Sequence, residues 1–156
     1  AVTDRRYVVT MTTNQSSSAA ASAPRLDGLQ RHAGGCLCGA IRYEVELDLS
    51  QGGTRCNCSI CTKLGAYGTN VKPAAFRLTA GQDARLIVGN SVGNRVFCAK
   101  CGIYCYGEGD LPDLGGAFVS INLNTLDGID PYALPVMYWD GRHDNWQAGP
   151  RPTPWP

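Results

Sequence analysis

Eight cysteines in three tight clusters restrict this 156-residue chain more than any other feature. The first cluster is Gly35-Cys36-Leu37-Cys38-Gly39, and the second is Cys56-Asn57-Cys58-Ser59-Ile60-Cys61. The third is Cys98-Ala99-Lys100-Cys101, with Cys105 beyond it. Thiols in such number form disulfides, bind metal or carry redox chemistry. In extended backbone, residues i and i+2 point to the same side. Cys36 and Cys38 can therefore aim at one point, and so can Cys56 and Cys58. Cys98-x-x-Cys101 followed by Gly102 has the spacing of a zinc knuckle, whose tight turn lets two sulfurs grip one ion. Two such pairs make a closed four-sulfur site of the structural kind. The middle cluster then offers three sulfurs and leaves a fourth position open, the pattern of a reactive zinc centre. Cys105, between Tyr104 and Tyr106 on an expected strand, is left over and is expected to be buried and inert. The ordered set favours zinc over disulfides. Either both ions only hold the fold, or the open one also does chemistry.

The amino terminus bears on the same choice, because a disulfide framework needs an oxidising compartment. Arg5 and Arg6 are followed only by the short apolar run Tyr7-Val8-Val9, too brief for the apolar centre of a signal peptide. The expectation is a cytoplasmic protein with reduced thiols. Thr10 to Pro24 is low in complexity and rich in Ser and Ala, so residues 1–30 are expected to form a flexible tail, with the zinc-binding domain over 31–156. No run of 18 apolar residues exists, so no membrane span is expected. The formal net charge of +1 speaks against a nucleic-acid partner, whose usual footprint is a basic domain.

The domain reads as mainly β. Nineteen glycines and nine prolines punctuate the whole chain, and no segment sustains a helical period. Ala40 to Leu47 alternates apolar and polar residues as a half-buried strand does. Further short strands are expected at Ala66–Lys72, Phe76–Leu78, Arg85–Val88, Arg95–Phe97, Ala117–Leu123 and Val136–Trp139. Short helical turns are expected after Cys58 and at Asn124–Leu126. A predominantly β domain of several small sheets is expected.

Three stretches together carry a resemblance. They are Gly34-Gly35-Cys36-Leu37-Cys38-Gly39-Ala40-Ile41-Arg42-Tyr43, Cys56-Asn57-Cys58-Ser59-Ile60-Cys61 and Phe97-Cys98-Ala99-Lys100-Cys101-Gly102. From about His32 to about Trp139 the chain resembles the glutathione-dependent formaldehyde-activating enzyme family, which also contains centromere protein V. The resemblance implies a Mss4-like fold of several small coiled antiparallel sheets around zinc, with a structural zinc on Cys36, Cys38, Cys98 and Cys101. It implies a second zinc on Cys56, Cys58 and Cys61, near where glutathione binds. It also implies a carbon–sulfur lyase activity, joining glutathione to formaldehyde as S-hydroxymethylglutathione or reversing that step. Other implied roles are a non-catalytic interaction module like centromere protein V, or a carbon–sulfur bond enzyme of specialised metabolism. Thr62-Lys63 stands where many members carry Arg-Lys, and Cys105 lies outside the family's metal pattern.

The partner expected is therefore a small-molecule thiol adduct, with glutathione or a similar thiol as co-substrate. Glutathione carries two carboxylates, and Lys63, Arg55 and Lys100 stand beside the cysteines as candidate partners for them. Cys56, Cys58 and Cys61 are the candidate catalytic residues. Of the two histidines, His143 is the better functional candidate because Arg142, Asp144 and Trp146 surround it, while His32 is expected to pack. Tyr67 and Asn70 are candidate pocket residues, and Asn122 and Asn124 candidate turn caps. Trp146, Trp155 and the prolines from Pro150 onward are expected to wrap over the core.

Overall fold

The computed structural model describes residues 27–89 and 93–156. The expected amino-terminal tail lies outside the described residues up to position 26. Among the described residues the chain forms ten strands, one short helix and several single 3-10 turns, so it is mainly β as expected.

A three-stranded antiparallel sheet takes the order β1 (Gln30–Gly35), β2 (Arg42–Leu47) and β5 (Phe76–Ala80). The second sheet has seven strands. Its order is β10 (Val136–Trp139), β3 (Gly53–Cys56), β4 (Gly68–Val71), β9 (Gly116–Asn122), β8 (Tyr104–Leu111), β7 (Gly93–Cys98) and β6 (Arg85–Gly89). Its pairs are antiparallel except β10 on β3, which run parallel. That pair departs from the all-antiparallel expectation. A long connection returns the chain to the free edge of β3, and parallel pairing needs such a crossover.

The period-2 pattern of β2 buries Tyr43, Val45 and Leu47 on one face. The inner face of the large sheet supplies Val96, Tyr106, Val119 and Ile121. Three rings join the two layers. Phe76 lies 4.7 Å from Tyr106 and 5.4 Å from Tyr43, and Tyr43 meets Tyr106 edge-on at 6.0 Å. Such tilted and edge-to-face pairs suit the ring quadrupoles and stabilise beyond their buried area.

The strand patterns anticipated β2, β4 to β7, β9 and β10 within a few residues. β1 and β3 were not anticipated. Their sequences, Gln-Arg-His-Ala-Gly-Gly and Gly-Thr-Arg-Cys, have little intrinsic strand character, and they are held by pairing to β2 and to β10. The helix α1 (Ser59–Leu64) follows Cys58 as expected and ends on Gly65 in the left-handed conformation, φ 61°. The second helical turn falls at Leu123–Thr125.

Gly52 decides where β3 begins. It has φ 60° and ψ −145°, and a Cβ there would lie 1.9 Å from the Pro135 carbonyl oxygen, where β10 joins β3. Gly128 has φ 66° but open space around it. Gly128→Ala is therefore expected to lower unfolding free energy by about 1 kcal/mol. Gly52→Ala should cost at least about 3 kcal/mol, because backbone must also move. Denaturant titration of both variants checks the difference.

Candidate metal centres and the cleft beside them

The four outer cysteines sit in two turns that belong to different sheets. Cys36 and Cys38 lie between β1 and β2, while Cys98 ends β7 and Cys101 lies in the turn from β7 to β8. Backbone bonds shape both turns. Cys36 N–H donates to the Ile41 carbonyl at 3.1 Å, and Cys98 N–H to the Ile103 carbonyl at 2.9 Å. The four sulfurs lie within 4.8 Å of one another. Cys38 Sγ is 3.5 Å from Cys36 Sγ and 3.6 Å from Cys98 Sγ. Four sulfurs about 2.3 Å from a tetrahedral zinc would stand about 3.8 Å apart, so the set fits the ion with little adjustment. The separations are far from a disulfide bond of about 2.05 Å, and all eight cysteines are free. Backbone N–H groups of Cys38 and Ile103 hold the Cys101 thiol down at about 6. That residue is thus prepared to be a thiolate ligand.

The second cluster comes from one continuous stretch. Cys56 ends β3, Cys58 caps α1, and Cys61 lies within it. Their sulfurs also lie within 4.8 Å of one another, so this trio too could hold a metal ion. Burial, and then the neighbouring Cys58 sulfur, push the Cys61 thiol up to about 12. Three thiolates this close repel one another, and a cation relieves that repulsion. No histidine or carboxylate of the described residues joins either set of sulfurs.

A loop from the carboxy-terminal part clasps this trio. Asp140, 4% exposed, accepts hydrogen bonds at 2.8 Å from Asn57 Nδ2, the residue between the first two cysteines. His143 Nδ1 lies 2.8 Å from the same carboxylate, and Asn145 Nδ2 donates to it at 3.4 Å. In return Arg142 N–H donates to Asn57 Oδ1 at 2.8 Å. The bond from Asn57, and then those from His143 and Asn145, hold the Asp140 carboxyl below its ordinary range, so it is ionised at neutral pH. Gly141 allows the close approach, since a Cβ there would lie 2.5 Å from Cys56 Sγ and 2.8 Å from the Trp146 ring. Trp146 packs on Trp139, with ring centroids 5.9 Å apart. Trp155 Nε1 donates to the Tyr138 carbonyl at 2.8 Å, and Arg151 exchanges backbone bonds with Tyr138. The terminal segment therefore runs along the edge strand β10, tied to its backbone, instead of over the core.

The trio forms the wall between two clefts. Cys56 and Cys61 face a cleft of about 460 Å³ over the outer face of the large sheet, with Tyr67, Asn70, Arg95, Tyr104, Ser120 and Trp139 among its walls. Its volume is in the usual small-molecule range of roughly 300–1,000 Å³. Cys58 faces a second cleft of about 380 Å³ with Ser59, Thr62, Lys63, Gly141 and Arg142.

The candidate residues divide accordingly. Tyr67 and Asn70 line the larger cleft, with the buried Tyr67 hydroxyl donating to the Pro135 carbonyl at 2.7 Å. Lys63 lines the smaller one. Arg55 stacks its guanidinium 4.9 Å from the Tyr67 ring centroid and donates to the Gly65 carbonyl. Lys100 lies in the turn of the four-cysteine cluster and is on the wall of neither cleft. Asn122 caps the following turn and also donates to the Tyr104 carbonyl at 2.7 Å, while Asn124 donates to Gly65. Cys105 is fully buried, and burial pushes its thiol up to about 12. His32 is on β1. Arg95, Tyr104, Ser120 and Asp140 were missed, because each is separated in sequence from the cysteines it approaches. Only strand register and the returning loop bring them there.

A model of the glutathione-dependent formaldehyde-activating enzyme family matches residues 31–140. The chain belongs to that family. The match spans all seven clustered cysteines and ends at Asp140, the first residue of the clasp. A crystal structure of a Rhodobacter sphaeroides protein is similar, with 27% sequence identity and a TM-score of 0.56 over 64% of this chain and 92% of that one. The fold, two sheets with little helix and two convergent cysteine sets, is Mss4-like. Family membership supports an enzyme whose chemistry involves glutathione and formaldehyde. No helix among the described residues is long and apolar enough to cross a membrane.

Freshly purified, reduced protein is expected to carry one zinc per cysteine set, and Cys58→Ala should lose one of the two while keeping the fold. Asp140→Ala should weaken zinc at the trio about 10- to 100-fold, as loss of an orienting outer contact does. It should leave the four-sulfur site unchanged. Competition with a chromophoric chelator, followed by elemental analysis, checks both.

Proposed function

We propose that this protein catalyses reversible addition of the glutathione thiol to formaldehyde, giving S-hydroxymethylglutathione. The observation that carries the reading is the opening of the three-cysteine set, through Cys56 and Cys61, onto the larger cleft. A set that only held the fold would gain nothing from such a cleft, and this argues for the enzyme over the interaction module.

Cys36, Cys38, Cys98 and Cys101 would hold a structural zinc, and Cys56, Cys58 and Cys61 a second one with a fourth position free. When bound, that second zinc supplies positive charge that favours a deprotonated thiol and polarises a carbonyl oxygen. The rest falls to the chain itself. Trp139, Tyr67 and Phe118 give the cleft apolar walls that exclude water from the reacting groups. The clasp of Asn57, Asp140 and Gly141 holds Cys56 and Cys58 in place. In the reaction the sulfur forms a bond to the formaldehyde carbon, and the carbonyl π pair moves to the oxygen. The proton leaving the thiol is balanced by one taken up at that oxygen. Tyr104 and Ser120 offer hydroxyls in the cleft to hydrogen-bond the developing alkoxide. Lys63, with Arg142, is a cationic position for a glutathione carboxylate reaching the smaller cleft.

The test is exchange between labelled formaldehyde and its glutathione adduct, read by NMR line broadening or saturation transfer. Zinc-loaded protein should speed the exchange above the spontaneous rate. Cys61→Ser should return it to that rate while the four-sulfur site keeps its metal. Exchange unaffected by wild-type protein would sink the reading.

A further inference from the structure

The larger cleft has a feature that its link to the cysteines does not explain. The register lays Arg95, Gly107, Ser120 and Asn70 in one row across β7, β8, β9 and β4. Paired residues point to the same face of a sheet, so the side chains of this row stand together on the cleft side. Val96, Tyr106 and Ile121, one position on, fill the core on the opposite face. Gly107 leaves the middle of the row empty. A Cβ there would meet the Tyr104 hydroxyl at 3.2 Å and the Asn94 carbonyl at 3.0 Å. The row thus presents a guanidinium, a bare stretch of backbone, a hydroxyl and an amide, with a phenol hydroxyl over the gap.

Among the described residues, Arg95 is the only cationic side chain on the wall of this cleft. Other arginines are already occupied. Arg31, Arg42 and Arg77 pair with Glu46, Asp127 and Glu44, and Arg151 stacks on Trp155. No carboxylate of the described residues forms an ion pair with Arg95. Glu108 borders the cleft, but the register pairs it with Asn94 and Val119 and so places it on the opposite face. Arg95 is only half-buried, yet close enough for its charge to be felt at Cys61 and at Tyr104. A planar, permanently charged fork in a concave site is suited to a carboxylate, which it meets with two parallel hydrogen bonds.

We infer that Arg95 is the carboxylate-binding subsite of this cleft and restricts the thiol co-substrate to carboxylate-bearing thiols. The inference rests on the proposed thiol chemistry for its substrate, but it concerns binding and can be tested apart from turnover. Lys63 is the competing anchor, and it lines the other cleft.

The probe is S-methylglutathione, whose blocked sulfur cannot form an adduct, titrated into zinc-loaded full-length protein by NMR shifts or by the fluorescence of Trp139 and its neighbours. Wild-type protein should bind it, Arg95→Gln should weaken binding at least tenfold, and Arg95→Lys should weaken it less. Lys63→Gln, which touches only a carboxylate reaching the smaller cleft, should weaken binding less than Arg95→Gln does. Wild-type protein should bind the diethyl ester of the probe as weakly as Arg95→Gln binds the free acid. If the Gln variant does not fold, the ester comparison is read together with Arg95→Lys and Lys63→Gln, and the larger loss must fall on Arg95→Lys. Undiminished binding by Arg95→Gln, equal binding of acid and ester, or no binding by wild type would each overturn the inference. So would an Arg95→Gln loss of formaldehyde exchange as large with 2-mercaptoethanol as with glutathione, since Arg95 would then act at the reacting atoms. Arg95-dependent binding without any accelerated exchange would defeat the proposed reaction and leave the subsite standing. Accelerated exchange with acid and ester alike would do the reverse.

Discussion

The meeting of two sulfur pairs from different sheets is the constraint on which the architecture rests. Cys36 and Cys38 leave the small sheet, Cys98 and Cys101 leave the large one, and 60 residues separate Cys38 from Cys98, whose sulfurs stand 3.6 Å apart. Closing so long a loop is entropically costly, and contacts among thiols do little to offset it. A cation bound by all four sulfurs would supply the missing stabilisation, because the metal-binding free energy becomes folding free energy. The aromatic contact of Tyr43, Phe76 and Tyr106 joins the same two sheets. Sulfur cluster and ring cluster thus fix their relative placement from two points.

The three-cysteine set follows a different logic. It is local, so closing it costs little chain entropy, but a local turn alone does not hold side chains still. The clasp from Asp140 supplies that rigidity from outside the segment. Its carboxylate is buried and accepts from Asn57, while Asn57 accepts from the Arg142 backbone, so neither polar group is left without a partner. Parallel pairing of Trp139 with Cys56 brings the clasp to the correct place. The segment beyond is tied to Tyr138 through Arg151 and Trp155. An edge strand and a terminal strap, which in many domains only cover the core, here set the geometry of the site.

Much of this was legible in the residues. The cysteine spacings separated a four-sulfur set from a three-sulfur set, and the alternation in Ala40–Leu47 marked a strand buried on one face, with a further strand read at Ala117–Leu123. The limits have physical causes. β8 was visible only at Cys105, because Gly107, Glu108, Gly109 and Asp110 lack strand propensity, and the segment is a strand through pairing on both sides. Sequence proximity also misdirected the search for cationic partners. Lys100 adjoins two cysteines but lies with the four-sulfur set, and Arg55 spends its charge on Tyr67 and Gly65. Arg95 reaches Cys61 across 34 positions of chain, through a register that no local pattern displays.

The glycines of the large sheet join these arguments. In a central strand a glycine weakens the sheet, so one in the interior of β8 calls for a reason in packing or in function. On the core side a missing side chain would leave a void, but Gly107 points to the outer face, where a side chain would have closed the cleft. Gly68, on the same face beside Thr54, keeps the floor low close to Cys56. The sheet therefore gives up propensity where the gain is open space beside a charged row and a sulfur trio. A face built only to be solvated would have no use for that exchange, and a face built to receive a small polar ligand needs it.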